Sequence, residues 1–444
     1  FGDWSSDVCS SDLGVRVDGN SSIYITNTNA EDNGLSGVSL KNDYTSGVVY
    51  VRNFSKTVSS AFDNNGSYGI YILSLRNIML ENLSADANGL SGAYLDNCRE
   101  NAGLCLGNGP TTISASKNMT VSFNGNGDHG ILAYSYNTIK LINVLANDNG
   151  LSGAYLDNNY VGSTGSVFLQ RSGTITNQFN NNGTAGLYSG PAPAYRVGLF
   201  IDTRGTINLK NLEASNTQDG GVASTWYGTP FAGSGLLAAN NYGDRANKLL
   251  LSDGYFCGNA DHGVRLFSYG GISLQNITAS GNGDIGALVK NDYPDLANSI
   301  ALLSAGGGWN TFSGNNGTGL LIETNGAVTM KDVSAVGNRM LTNTLASGGI
   351  GSASVQEFFN ASLGADVWEF YATAGVPLTI QLDKVWSPAG EIFDPFLALY
   401  NANQVLLASD DNSGGGLNAE ISYTPSVDGW YYLQIGRASC RERV

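Results

Sequence analysis

Along most of the chain, apolar and polar residues alternate in short runs separated by Gly- and Asn-rich stretches. In Gly92-Ala93-Tyr94-Leu95-Asp96, Ala93 and Leu95 fall on one face and Tyr94 and Asp96 on the other. This is the period-two pattern of a half-buried strand. A second apolar run often precedes such a stretch, as in Ile78-Met79-Leu80 and Ile139-Lys140-Leu141. The Gly- and Asn-rich spacers would break a helix every few residues, so the pattern predicts an all-β fold.

The runs are copies of one unit. Asn-Gly-Leu-Ser-Gly-Ala-Tyr-Leu-Asp-Asn occurs at Asn88–Asn97 and again at Asn149–Asn158. Looser copies carry a marker glycine at Gly37, Gly69, Gly92, Gly130, Gly153, Gly186, Gly221, Gly263, Gly286 and Gly319, with spacings of 32, 23, 38, 23, 33, 35, 42, 23 and 33 residues. Twenty-three residues suit one turn of a β-solenoid, and the longer intervals read as a turn plus an inserted loop. The insertions fall just after the marker strand, at 97–110, 158–165, 190–197, 225–247 and 291–298, so they project from one side. A binding surface is expected there. The marker glycines are expected to supply positive-φ corners, and the recurrent Asn to bridge the same corner of neighbouring turns.

This repeat resembles the right-handed parallel β-helix of pectate-lyase-like proteins over residues 14–345. The resemblance implies the fold but no reaction, because lyases, hydrolases, epimerases and adhesins share it. Residues 346–353 read as a linker. Beyond it come Asp366-Val367-Trp368-Glu369-Phe370, Pro377–Leu382, Phe393–Tyr400 and Trp430–Leu433, alternating strands around the turn Leu407–Gly415. This set resembles the bacterial pre-peptidase C-terminal domain over residues 354–434, a small β-sandwich lacking its final strand or two. That family is accessory and non-catalytic, and the resemblance implies export to the cell surface or beyond. Asp3–Leu13 and Ile435–Val444 resemble translated sequencing adapters. Residues 1–13 and 435–444 are therefore set aside as artefact, and the chain is read as a fragment of environmental origin.

The net charge of −15 argues against nucleic acid as a partner. No apolar run is long enough for membrane insertion. Cys98 and Cys105 share one inserted loop and could close a small disulfide, as an oxidising compartment favours, or remain two thiols. Cys257 reads as a small buried residue.

For chemistry, the outward positions of the marker strand matter most. Tyr71, Tyr94, Tyr155 and Tyr188 fall on successive or near-successive turns, with Tyr134 filling the gap at Leu132, so they predict an aromatic strip. Sugars stack on such strips; cross-strand packing of the rings is the plainer reading. Asp96 and Asp157 lie beside the strip two turns apart, roughly 9–10 Å by strand spacing. That is near the upper limit of about 9.5 Å for an inverting pair of glycosidase carboxylates, although Asp-Asn corners also form ordinary turns. His129 and His262 are too far apart to share a site and read as surface turn residues. Arg265 and Lys290 are possible lyase bases but lack an acidic calcium cluster. Asp410, Asp411 and Asn412 form a turn that could hold Ca²⁺, as could the Asp43, Asp96 and Asp157 corners; otherwise these are solvated turns. No other cofactor is expected. The expected function is a non-catalytic extracellular module that binds polysaccharide or cell-surface glycan, or serves adhesion. A polysaccharide lyase or glycoside hydrolase acting on the Tyr/Asp face is the alternative, and a structural stalk the third reading.

Overall fold

The computed structural model describes residues 12–42, 47–55, 57–101, 104–184, 196–219, 225–226, 229–230, 232–242, 247–291, 293, 298–335, 337–338, 342–345, 365–372, 374–382, 395–411, 413 and 418–437. None of the described residues is helical. The chain divides into two compact units, Phe1–Gly270 and Gly271–Val444.

In the first unit each turn sends one strand to each of two parallel sheets. One sheet holds the marker strands Val15–Asp18, Val38–Asn42, Ile70–Ser74, Ala93–Asp96, Ile131–Tyr134, Ala154–Asn158, Val197–Thr203, Ser234–Asn240 and Val264–Ser268, each paired in parallel with the next. The other runs from Ile23–Thr26 and Val49–Arg52 through Ile139–Ile142 to Leu249–Tyr255. Strands stacked in this way form a parallel β-helix.

The core repeats every two turns. Phe62, Ala85, Phe123, Ala146, Phe179, Ala214 and Phe256 are fully buried. They come from successive turns: Ala85 N–H donates to the Ser122 carbonyl, Phe123 N–H to Leu145 and Ala146 N–H to Gln178. Down this row phenylalanine alternates with alanine, so large side chains pack over small ones from turn to turn. The two identical decapeptides lie two turns apart, one turn (Asn126 to Tyr134) coming between them.

Two side-chain ladders tie the turns together. Asn33, Asn65, Asn88, Asn126 and Asn149 each donate N–H and Nδ2–H to the Oδ1 of the next turn's Asn, ending at Asn182. A second ladder has the opposite polarity: Asp63, Asp86, Asn124, Asn147 and Asn180 accept at Oδ1 the backbone N–H of the following turn. The marker glycines serve a different purpose from the one expected. A Cβ on Gly92 would lie 2.7 Å from the Ala85 and Gly130 carbonyls, so close packing of turns, not positive φ, demands glycine there. The left-handed corner falls just before the ladder asparagine, at Asp32, Asn64, Ala87, Gly125 and Asp148. Asn and Asp tolerate that conformation better than other side chains.

The second unit keeps this pattern at first. Ala287–Asn291 pairs in parallel with Leu320–Thr324, and Ile272–Thr278 with Ile300–Leu303. Asn282, Asn315 and Asn338 form a ladder, and buried Ala279, Phe312 and Ala335 alternate. Thr342–Leu345 pairs in parallel with Ala365–Ala372. From there the pairing becomes antiparallel: Ala365–Ala372 with Gly429–Arg437, that strand with Pro395–Asn401, and Pro395–Asn401 with Leu406–Asp410. A separate pair, Leu378–Leu382 with Ala419–Tyr423, makes a second small sheet. Trp368, Phe370, Leu397, Leu399, Ile421 and Tyr431 are buried in this part of the chain.

Candidate functional site

On the marker sheet of the first unit the register aligns two outward rows. Tyr71 pairs with Tyr94, Tyr94 with Leu132, Leu132 with Tyr155 and Tyr155 with Phe200. Beside them, Asp96 pairs with Tyr134, Tyr134 with Asp157 and Asp157 with Asp202. Tyr134 bridges the gap at Leu132, its ring centroid 5.9 Å from Tyr94 and 6.0 Å from Tyr155. Tyr68 joins the row, 5.3 Å from Tyr71 and 5.7 Å from Tyr94.

Two pairs of rings stack face to face, and the others meet tilted or edge-on. Tyr71 and Tyr94 stack at 5.0 Å with planes 21° apart, and Tyr155 and Phe200 at 4.7 Å with planes 1° apart. Such pairs are worth about 0.5–1.5 kcal/mol beyond area burial. The described tyrosines of the row are all half-buried, so what they offer a ligand is their rims and hydroxyls more than open faces. Burial, with the neighbouring Asp96 charge, pushes the Tyr94 phenol up to about 12.

Tyr188, expected beside Tyr155, lies outside the described residues, and Phe200 occupies the position next to Tyr155. The markers Gly186 and Gly221 were misread: Gly198 and Gly235 stand in line with Gly153 and Gly263. In these turns the extra residues precede the glycine instead of following the strand, which displaces the count. In the turn of Gly235 the outward pair is accordingly Leu237 and Ala239, adjoining Arg265 and Phe267.

The corrected register brings in Asp202, which the spacing argument missed although Gly198-Leu199-Phe200-Ile201-Asp202 has the same alternation as Gly153–Asp157. Asp202 is 9 % exposed. Its Oδ1 accepts the Tyr242 hydroxyl at 2.6 Å and its Oδ2 the Asn159 amide at 3.2 Å. Burial raises its pKa to about 7, helped by the Asp157 charge. Asp157 accepts the Asn159 N–H at 2.9 Å; burial lifts it to about 6. Asp96 is also raised by burial, against the pull of the Arg99 and Cys98 N–H groups that it accepts. Tyr160 is pushed up by burial and by the surrounding charges of Asp157 and Asp96. Arg204 donates to Asn159 Oδ1 at 3.0 Å and lies 5.0 Å from the Tyr242 ring centroid. Asp157 and Asp202 thus occupy adjacent turns, about 4.8 Å apart at the backbone, and Asp96 lies two turns from Asp157. Chemically the row offers carboxyl groups whose hold on a proton burial strengthens, hydroxyls and one amide.

Cys98 and Cys105 form a disulfide with Cα atoms 4.6 Å apart, in a loop next to this row. Cys257 is half-buried, a little more open than expected.

Both histidines are buried, contrary to the surface positions expected. His129 accepts the Ser152 N–H at Nδ1, and burial lowers its pKa to about 3, so the imidazole is neutral. His262 Nδ1 meets Asp261 at 2.8 Å and its Nε2 meets Arg265 at 3.1 Å. A guanidinium only donates, so Nε2 accepts and Nδ1–H donates to Asp261. Arg265 is 4 % exposed within this network, which removes it as an accessible base. In the second unit Lys290 is ion-paired with Glu323. Asp410 Oδ2 accepts the Ser413 and Glu420 N–H groups at 2.9 and 2.7 Å, the bonding of a turn former. Asp411 is exposed, and Asn412 and Asp43 lie outside the described residues.

Among the described residues no helix is long and apolar enough to cross a membrane. No curated protein matches the chain. Among solved structures, the Dettilon tailspike protein gp208 aligns over 90 % of this chain and 88 % of its own, at 10 % identity and a TM-score of 0.27. A tailspike protein gp49 from Acinetobacter baumannii bacteriophage Fri1, described as a capsular polysaccharide depolymerase, aligns over 95 % and 85 % at 11 % identity and a TM-score of 0.17. Scores so low carry no argument, and the fold rests on strand register. The family model of the bacterial pre-peptidase C-terminal domain matches residues 364–437. The chain is therefore a parallel β-helix followed in sequence by a bacterial pre-peptidase C-terminal domain.

Proposed function

We propose that the protein is an exported module that binds a polysaccharide or cell-surface glycan along the Tyr/Asp row of its β-helix. The observation that carries this reading is the row itself: half-buried tyrosines from Tyr68 to Tyr155, flanked in register by Asp96, Asp157 and Asp202. Phenol and carboxyl groups repeating along the axis suit the repeating hydroxyls of an extended glycan. Because the tyrosines are half-buried and packed against one another, recognition runs through hydrogen bonds from the rims. The C-terminal domain supports export. Calcium at the Asp410–Asn412 turn is an adjunct to be tested with chelator.

A second reading, glycoside hydrolysis, is favoured by one observation. Asp157 and Asp202 lie on adjacent turns, with pKa values raised to about 6 and about 7. A retaining glycosidase places its carboxyl groups about 5–5.5 Å apart and needs one of them protonated. Here Asp202 would donate the proton and Asp157 would be the nucleophile.

Affinity electrophoresis on a polysaccharide panel, with reducing ends and unsaturated products followed alongside, separates the readings. The expected result is retention without new ends, weakened about three- to tenfold in Tyr94→Phe, which loses one hydrogen bond but keeps the ring. New reducing ends that vanish in Asp157→Asn and Asp202→Asn would replace binding by hydrolysis. Unsaturated products would indicate a lyase. Neither retention nor turnover on any polysaccharide would leave the stalk.

A further inference from the structure

The other parallel sheet of the first unit carries a different cluster of outward side chains. Ile23–Thr26 and Val49–Arg52 pair in parallel, with Tyr24 beside Tyr50 and Thr26 beside Arg52. Val49 and Val51 are buried in the core, so the alternate residues Tyr50 and Arg52 turn outward. Tyr24 and Tyr50 stack with ring centroids 5.3 Å apart and planes 3° apart. Past the end of the strand, Phe54 N–H donates to Asn27 Oδ1 at 2.9 Å and Asn82 Nδ2 donates to the Asn53 carbonyl at 3.0 Å. The chain is thereby held with Phe54 against Arg52, whose guanidinium carbon lies 4.1 Å from the Phe54 ring centroid and 5.9 Å from that of Tyr50.

Two features set this cluster apart from ordinary packing. Tyr24 is 59 % exposed and Phe54 58 %, whereas the rings of the Tyr/Asp row are half-buried. One face of Tyr24 lies on Tyr50, and so large an exposure leaves the other open to solvent. The second feature is the cation. Arg52 Nε is buried without an acceptor, and no side-chain donor of Arg52 has a hydrogen-bond or ion-pair partner among the described residues. Glu81 stands beside Arg52 in register but forms no ion pair with it. Contact with the aromatic rings uses none of the guanidinium N–H groups, which stay free to grip an oxyanion in the fork geometry that suits arginine. In a chain of net charge −15, an unpaired guanidinium between open rings is a local exception that an anionic ligand complements.

We propose that Tyr24, Tyr50, Arg52 and Phe54 form a second glycan site, selective for a glycan that carries an oxyanion, carboxylate or sulfate ester. Arg52 binds the oxyanion, and the exposed rings of Tyr24 and Phe54 on either side carry the neighbouring sugars. The proposal rests on the glycan-binding reading for its ligand class, but its site shares no residue with the Tyr/Asp row.

Affinity electrophoresis of the full chain on hydroxyethyl cellulose, carboxymethyl cellulose and cellulose sulfate tests it with one backbone in a neutral and two anionic forms. Salt is held at about 0.15 M, where repulsion from distant charges of the chain is screened beyond about 8 Å. Wild type should be retained more strongly by at least one anionic form than by the neutral one, and the preferred form names the oxyanion. Equal or weaker retention on both anionic forms overturns the proposal in the wild type itself, whether or not any variant folds. Arg52→Gln and Tyr24→Ala should each weaken the anionic retention about three- to tenfold, with the melting temperature unchanged. Anionic retention that survives Arg52→Gln overturns the site. Polyacrylate, a carboxylate polymer without sugar rings, should compete poorly; competition equal to that of carboxymethyl cellulose overturns the part given to Tyr24 and Phe54. Tyr94→Phe separates the two sites. It should leave anionic retention unchanged, and a loss equal to that in Arg52→Gln overturns the second site by assigning the anionic glycan to the row. If the Tyr/Asp row retains no polysaccharide of the panel, that reading falls alone, and the comparison of wild type with Arg52→Gln still judges this one.

Discussion

At the scale of single residues, most of the chemistry is burial acting on polar groups that the repeat places in rows. Asp202 is the sharpest case. Its folded-state pKa is raised to about 7, above the value of an unfolded chain, so the folded protein binds that proton more tightly between about pH 4 and pH 7. Stability is therefore lost as pH rises through that window and stays low above it. Asp202→Asn should remove the loss: relative to wild type its melting temperature should be higher at pH 8 than the same comparison gives at pH 4. The gain is on the order of a few kcal/mol, and parallel pH series of thermal unfolding check it. The ladder asparagines behave differently, since they are neutral and fully bonded. Asn126→Ala strips the Asn88 N–H and Nδ2 of their acceptor and Asn149 of two donors. A loss of about 2–4 kcal/mol is expected in urea unfolding, well above that of a surface Asn→Ala.

Among elements, the unit of construction is a pair of turns. Phenylalanine and alanine alternate down the core, so neighbouring turns are complementary and not interchangeable. Phe123→Ala puts three consecutive alanines, with Ala85 and Ala146, where a ring is required. It should cost about 3–5 kcal/mol, measured by chemical denaturation. The same two-turn rhythm shows in the identical Asn88–Asn97 and Asn149–Asn158 segments and in the 32-, 23-, 38- and 23-residue spacings from Gly37 to Gly153. Strands, marker glycines and corner asparagines were legible because a solenoid repeats its local constraints at each turn. The register failed only between Gly153 and Gly263, where insertions precede the glycine, and a count from one marker to the next cannot tell on which side of a strand the extra residues lie. That single slip hid Asp202 and put Tyr188 where Phe200 stands.

For the molecule as a whole, the net charge of −15 means self-repulsion that counter-ions relieve. Raising NaCl from about 10 to about 150 mM should lift the melting temperature by about a degree or two, as read by scanning fluorimetry, because surface charges more than a Debye length apart become screened. The amino-acid sequence by itself determined the fold class, the parallel β-helix, the change of architecture near the C-terminus and the aromatic row from Tyr71 to Tyr155. Each of these follows from local periodicity and from residue types that only certain backbones accept. Tertiary structure alone decided which carboxyls become neighbours and which histidines are buried. Those outcomes depend on how inserted loops of unequal length return to the stack. A difference of a few residues in an insertion shifts every later alignment, and nothing in the alternation of apolar and polar positions records it.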